Sequence, residues 1–548
     1  MHGPLIGYDR VASESAAPIL AALRSYRGEI IDLEVGHTVS GLELGVAADA
    51  VTRWLVESGL TAGDRVVFSV GNGPAFTAAL CGVLAAGGSP IVLHGDTPPQ
   101  ELRRFAQQYS VRFVLSQRFD GGCLGQVERR PSDSAALPEW LSLHCTELPL
   151  DPRGPAFPSL PGTPLHPTSG TTGRAKIAVR TALQAVEEAR HYIDTMRITS
   201  QDRILCVVPM SHAYGFGMGF MVSLLSGARL VTLRQFNPRT IARVLAEQQI
   251  TIFPAAPAML DLVVRAVEGK GVRNQLCIAP EGPSRQLVPD TFSMPFSMPR
   301  LVLAAGAPLS EGTAAAFRNQ TGTRVTPLYG STETGGITVA VGEGDDLPGG
   351  CVGRPMHGVE ARVAPIADAA ELAPGVGRVM IRSSSMMSGY LTPLSEGKGV
   401  RNQLCAAPAG PFRQLVPDTF SGIDSSAIRD GWFETGDLGR IDAQGRIQLV
   451  GREKEIINVF GMKVVPSEVE EVIAALPGVR EVKVYAGTHR SGSELVKAAV
   501  AVDGAVDASR IREHCELNLA PYKRPQVIQL LEALPRSPMG KILRDQLP

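Results

Sequence analysis

Cysteine occurs at eight scattered positions (81, 123, 145, 206, 277, 351, 405 and 515) and never in C-x-x-C spacing. The chain therefore offers neither the paired thiolates of a zinc site nor a disulfide framework. A reducing compartment is expected, the cytoplasm being the simplest. No run approaches the roughly 18 apolar residues of a membrane helix. The first residues, MHGPLIGYDRVASES, lack the basic-then-apolar order of an export signal. Neither sign of charge dominates, with 53 Lys and Arg against 54 Asp and Glu, which removes the electrostatic case for nucleic acid or an anionic membrane as partner. A small molecule is the expected partner.

What is present is length and alternation. At 548 residues, 44% of them hydrophobic, the chain exceeds one ordinary core and is expected to divide into at least two domains. Residues 42–58 read as an amphipathic helix, 64–70 as a strand, 75–86 as a buried helix and 90–93 as another strand. Helices between short apolar strands predict an α/β fold with a mostly parallel, doubly wound sheet, whose ligands sit at the carboxyl ends of the strands. Residues 118–163 carry many Pro, Gly and Ser and read as irregular connection.

That connection leads into HPTSGTTGRAK at 166–176. Here Thr168, Ser169, Gly170, Thr171, Thr172, Gly173 and Lys176 combine hydroxyls, glycines and an ammonium. Glycine lets backbone N–H groups approach an anion closely, and the side chains add donors, so the composition suits a polyphosphate. The G-x-x-x-x-G-K-[ST] spacing of a P-loop is absent, which excludes that class of nucleotidase.

TSGTTGRAK resembles the TSGTTGxPK loop of the AMP-forming adenylating enzymes, the superfamily of acyl- and aryl-CoA synthetases, nonribosomal-peptide adenylation domains and firefly luciferase. Ala175 stands where the family usually has proline. Further segments follow in family order. Pro209-Met-Ser-His-Ala-Tyr-Gly resembles the element bordering the carboxylate substrate, which implicates His212. Amino-acid-activating domains usually place an aspartate in this region, and its absence here argues against an α-amino acid substrate. The small residues of Leu301–Leu309, with Gly306, Ala307 and Pro308, resemble the stretch that passes under adenine. In Tyr329-Gly-Ser-Thr-Glu-Thr-Gly the resemblance implies that Tyr329 stacks on adenine, Gly330, Ser331, Thr332 and Thr334 approach the nucleotide, and Glu333 holds magnesium together with Thr171. Asp437 is implied to accept from both ribose hydroxyls, Arg452 to contact ribose or phosphate, Lys454 to be the hinge, Gly461 to border the thiol channel and Lys541 to be the catalytic lysine.

The resemblance thus implies a large N-terminal domain of doubly wound sheets plus a small barrel-like sheet, 1–451, and a small mobile α+β domain, 452–548. In the latter, Ser467 and Glu470 have capping-box spacing, 481–485 and 496–502 alternate as strands, and Asp507 is placed to cap a helix. The implied activity is an ATP- and Mg2+-dependent acid–thiol ligase. It makes an acyl adenylate, with a fatty or other hydrophobic acid preferred and an aryl acid as alternative, then an acyl thioester. Coenzyme A is the expected acceptor, a carrier protein's phosphopantetheine the alternative. A non-catalytic nucleotide-binding relative is disfavoured by the joint retention of Lys541, Glu333, Asp437 and Arg452.

One feature lies outside this pattern. Residues 268–293 and 396–421 are the same segment twice, differing only at 278/406, 281/409 and 284/412. Two copies so far apart cannot stack as neighbouring repeat units. They read as insertions of one element into loops, where length costs little closure entropy. Deleting either is expected to leave turnover nearly unchanged.

Overall fold

The computed structural model describes residues 14–118, 127–129, 131, 135–149, 154–168, 176–267, 298–307, 309, 311–343, 347–365, 375–394, 422–452, 457–459, 462–464, 466–488, 494–504, 506–535 and 547. Both duplicated segments lie outside these residues.

Two sheets organise the chain. In the first, the parallel strands Arg65–Ser69, Ser89–Leu93, Phe113–Ser116 and Leu165–Thr168 form the centre, and antiparallel strands extend both edges. Val66, Val67 and Phe68 are wholly buried, as expected of parallel strands covered on both faces. The second sheet begins with parallel strands that include Arg203–Cys206, Ile252–Ala255, Leu301–Ala304 and the start of Val325–Ser331. It then turns antiparallel through Gly335–Val339, Cys351–Pro355, Ile447–Arg452, Trp432–Ile441, Gly377–Ser383 and Val359–Ala364. The small antiparallel sheet expected from the sequence is thus hydrogen-bonded onto the parallel one. Gly389–Leu391 pairs with Lys176–Val179 in the first sheet.

Local chemistry explains the helices between. Gly41–Glu57 starts at a reciprocal cap, in which Glu43 N donates to Ser40 Oγ at 3.3 Å and Ser40 N to Glu43 Oε2 at 2.8 Å. Pro74–Ala85 is buried on nearly every side, and Phe76 makes edge-on contacts to Phe68 of the first sheet at 5.4 Å and to Phe220 at 5.7 Å.

Two expectations need correction. The 118–163 connection contains the strands Val127–Arg129 and His144–Glu147, which add antiparallel to the edge at Phe113–Ser116. Each is too short to show a period. The segment Gly215–Met221 after His212 forms a π-helix. Ser467 is not an N-cap, because the helix already begins at Pro466; Glu470 accepts instead from Val484 N at 2.8 Å and pairs with Lys483 at 2.8 Å. Asp507 does cap Ala508–Asn518, accepting from Arg510 N at 2.8 Å.

The C-terminal strands Val479–Thr488, Glu494–Val502 and Val527–Leu531 form their own sheet, with an apolar core that includes Val469, Ile473, Val484, Val496, Ile511 and Leu519. It meets the rest of the chain at Lys523, whose buried ammonium lies 2.6 Å from Glu101 and 2.8 Å from Glu468. No helix among the described residues is long and apolar enough to cross a membrane.

Candidate active site

Where Leu301–Ala304 ends, Gly306 takes a left-handed backbone (φ +88°) that turns the chain away. A cavity of about 880 Å3 opens there, bounded by His212, Ala304, Gly306, Tyr329, Asp437 and Glu188 among others. Its position beyond the carboxyl ends of parallel strands is the one such sheets reserve for ligands. Ala305, Ala307, Gly330, Ser331 and Thr332 also line it, so small side chains and backbone form the wall on that side.

Tyr329 and Asp437 belong to strands far apart in sequence, and the antiparallel path of the second sheet brings them together. The Tyr329 hydroxyl donates to Asp437 Oδ2 at 2.6 Å, and both residues are buried. Thr435 Oγ1 accepts from Asp437 N at 3.1 Å, fixing the turn. Across the ladder, Asp437 is the register partner of Arg452. The Arg452 side chain lies outside the described set.

Glu333 and Thr334 face elsewhere. The Glu333 carboxylate accepts from the Tyr390 hydroxyl at 2.9 Å, and the Glu333 carbonyl from Met387 N at 2.7 Å. Burial, then the Glu333 charge, raises the Tyr390 phenol far above its ordinary value. Lys176 Nζ stands 4.6 Å over the Tyr390 ring. Tyr390 thereby connects the end of the phosphate-type loop to the acidic turn. Thr334 is fully buried, its hydroxyl 3.0 Å from Ser331 Oγ. Neither Glu333 nor Thr334 borders the 880 Å3 cavity. Thr168 and Lys176 are register partners that close the loop between them. Ser169, Gly170, Thr171, Thr172, Gly173, Pro308, Lys454, Gly461 and Lys541 lie outside the described residues.

His212 borders the cavity at the start of the π-helix, its Nδ1 3.3 Å from Tyr214 N. Behind it, sequence reasoning missed a buried polar group: His166, Arg180 and Glu188. Arg180 Nη2 donates to Glu188 Oε2 at 2.5 Å with both side chains 1% exposed. His166 packs edge-on to Phe216, ring centres 4.5 Å apart. Burial, with Arg180 and His212 adding to it, lowers its pKa to about 3. Glu188 and Arg180 carry no motif. Glu188 follows Glu187 on the helix Ala182–Met196, and an acidic pair carries no local sign of burial.

Comparison with known proteins agrees along the chain. The family described as AMP-binding enzyme matches residues 21–391, and the AMP-binding enzyme C-terminal domain matches 468–541. Among curated relatives, an indoleacetate–CoA ligase of Aromatoleum aromaticum is 27% identical over 400 residues, 72% of this chain and 68% of that protein. A long-chain-fatty-acid–CoA ligase of Mycobacterium tuberculosis is 24% identical over 538 residues, 97% of this chain and 96% of that protein. Among solved structures, a doubly substituted o-succinylbenzoate CoA synthetase from Bacillus subtilis, bound to a product analogue, superposes with a TM-score of 0.69 at 20% identity, covering 97% of this chain and 98% of that one.

Proposed function

The chain belongs to the AMP-binding enzyme family, and from that premise we propose that it is an acid–CoA ligase that forms AMP. A carboxylate oxygen attacks the α-phosphorus of ATP, and the bond to pyrophosphate breaks. The sulfur of coenzyme A then attacks the acyl carbon, and AMP leaves. Catalysis of the first step is chiefly positioning and charge stabilisation.

In this reading the nucleotide lies along Gly306, Ala307, Pro308 and Tyr329–Thr332. Asp437, with two oxygens, exchanges the Tyr329 hydroxyl for the ribose hydroxyls. Residues 168–176 hold the phosphates, Arg452 supports ribose or phosphate, and Lys541 reaches the α-phosphate. Thr334, buried against Ser331, contributes by holding the turn. The acid enters the cavity beside His212, whose neighbours Ala213, Ala304, Ala305 and Leu309 favour a hydrophobic acid. Residues 1–451 form the large domain and 452–548 the smaller one, which turns about Lys454 to bring Gly461 toward the adenylate.

Among the described residues no three His, Cys, Asp or Glu cluster to hold a metal, while Glu333 presents one half-buried carboxylate. That donor set fits Mg2+ carried mainly by nucleotide phosphates, with Glu333 and Thr171 holding it. When bound it supplies charge neutralisation for the phosphates.

The observation that carries this reading is the Tyr329–Asp437 hydrogen bond in the wall of the cavity, with Arg452 opposite in register. The test is acid-dependent exchange of labelled pyrophosphate into ATP, followed by thioester formation on adding coenzyme A. Lys541→Ala is expected to abolish most of the exchange. Exchange at the native rate in that variant would defeat the assignment.

A further inference from the structure

Stretches far apart in sequence meet at Tyr390. It stands in the strand Gly389–Leu391, which runs antiparallel to Lys176–Val179 with Tyr390 in register with Ala178. The residues just before it bind the acidic turn and the same strand. Ser385 Oγ donates to the Thr334 carbonyl at 2.7 Å, Met387 N to the Glu333 carbonyl at 2.7 Å, and Ser388 N to the Val179 carbonyl at 2.9 Å. Residues 385–390 therefore tie the strand that leaves the phosphate-type loop to the turn that carries Glu333. Ser385 is wholly buried, and Tyr390 packs against the apolar cluster of Ala178, Met387 and Phe433, so the tie is firmly seated.

The phenol itself holds two charges. Its hydroxyl donates to Glu333 Oε1 at 2.9 Å, and Lys176 Nζ stands 4.6 Å from the ring centre. Neither Glu333 nor Lys176 borders the 880 Å3 cavity, so the walls of that cavity are not what gathers them. The described residues show no ion pair between the two charges; a neutral phenol links them instead. A direct pair would neutralise both, whereas the phenol fixes each and leaves it to act on a ligand. Donation to a carboxylate also enriches the ring in electrons, which strengthens its hold on the ammonium.

A ligand that carries anionic groups together with a cation fits such a pair of fixed charges. We propose that Tyr390 is a positioning residue for adenylation, its hydroxyl setting the rotation of the Glu333 carboxylate and its ring seating the Lys176 ammonium. Both charges are then in place before the magnesium-bound polyphosphate arrives, and no ordering of either side chain is left to the reaction itself. This rests on the adenylation reading given above.

The test is ATP binding to the full-length protein by calorimetry without acid, once with Mg2+ and once with excess EDTA, beside pyrophosphate exchange with acid. Tyr390→Phe removes the hydroxyl and keeps the ring. It is expected to weaken Mg–ATP binding by about tenfold, the loss of a hydrogen bond to a charged group, and to leave metal-free ATP unchanged. Tyr390→Leu removes the ring as well and is expected to weaken metal-free ATP by about fivefold. Added to Glu333→Gln, Tyr390→Phe is expected to cost nothing further. In exchange, KM for Mg–ATP rises while KM for the acid holds. Native Mg–ATP affinity in Tyr390→Phe, equal losses with and without Mg2+, a full further loss on top of Glu333→Gln, or metal-free ATP bound by Tyr390→Leu as tightly as by Tyr390→Phe would overturn the proposal and leave adenylation standing. Should either Tyr390 variant not fold by circular dichroism, Lys176→Met and Glu333→Gln decide: linked through one phenol, their losses of Mg–ATP affinity are non-additive, and additive losses overturn the proposal. Absence of exchange by the native protein with every acid would instead remove the adenylation reading, and this proposal with it.

Discussion

Asp437 and His166 show how differently two buried polar residues act. Asp437 holds the Tyr329 hydroxyl in a charge-assisted hydrogen bond at 2.6 Å, and such bonds contribute about 1.5–3 kcal/mol. Asp437→Asn keeps the shape and removes the charge. It is expected to lower kcat/KM for ATP by about ten- to a hundred-fold, the equivalent of that range, with the melting temperature little changed. His166 acts on stability instead. Its pKa is about 3 in the fold, lowered first by burial, against about 6.5 unfolded. Between those values the unfolded chain binds the extra proton. The full stability therefore stands above the unfolded value and falls with acidification, by up to about 1.4 kcal/mol per pH unit, until the folded value is reached. His191, lowered to about 4 chiefly by burial, slopes the same way. His166→Phe is expected to flatten the decline in urea-measured stability below neutral pH; an unchanged slope would show that His166 binds its proton equally in the folded and unfolded states. At this scale Tyr329 and Asp437 were legible because they sit in motifs. His166, although it opens the phosphate-type loop, was not, because nothing local shows whether a histidine faces water or Phe216.

The π-helix Gly215–Met221 is the element on which the site turns. Such helices are less favourable than α-helices and persist where a site needs them. A Cβ on Gly215 would stand 2.1 Å from Pro209 O, a backbone atom that cannot move aside cheaply. Gly215→Ala is expected to destabilise by about 1–3 kcal/mol. Gly45 gives the contrast. It lies in the Gly41–Glu57 helix, and a Cβ there would meet nothing within 4 Å, so Gly45→Ala is expected to stabilise by about 1 kcal/mol through helix propensity. Urea midpoints of the two variants check both signs together. The π register was not legible from sequence, since it depends on Glu188, Cys206 and Pro209 lying against Gly217, Gly219 and Gly215.

For the whole molecule, the contact at Lys523 decides how firmly the C-terminal sheet rests on the rest of the chain. Burial alone would lower the lysine's pKa, but Glu101 and Glu468 raise it well above the ordinary value, so the ammonium persists across physiological pH. Glu101 belongs to the Pro99–Gln108 helix and also accepts from Ala520 N at 2.6 Å. Removing one member of a buried ion pair costs about 3–5 kcal/mol, less where a second partner remains. Glu101→Gln is therefore expected to add a separate, lower transition to the calorimetric trace. A single unshifted transition would mean that this contact does not couple the two parts.

By itself the sequence determined the family, the succession of strands and helices through most of the chain, and the order of the nucleotide motifs. Those are properties of short stretches, fixed by periodicity, glycine placement and a few polar side chains. Tertiary structure alone decided that Tyr329 meets Asp437, that Tyr390 takes up Glu333, and that Arg180 and Glu188 pair out of water. Each depends on which distant strands pair and which helix face turns inward. Burial is a property of the assembled sheets, and an acidic side chain carries no local mark of it.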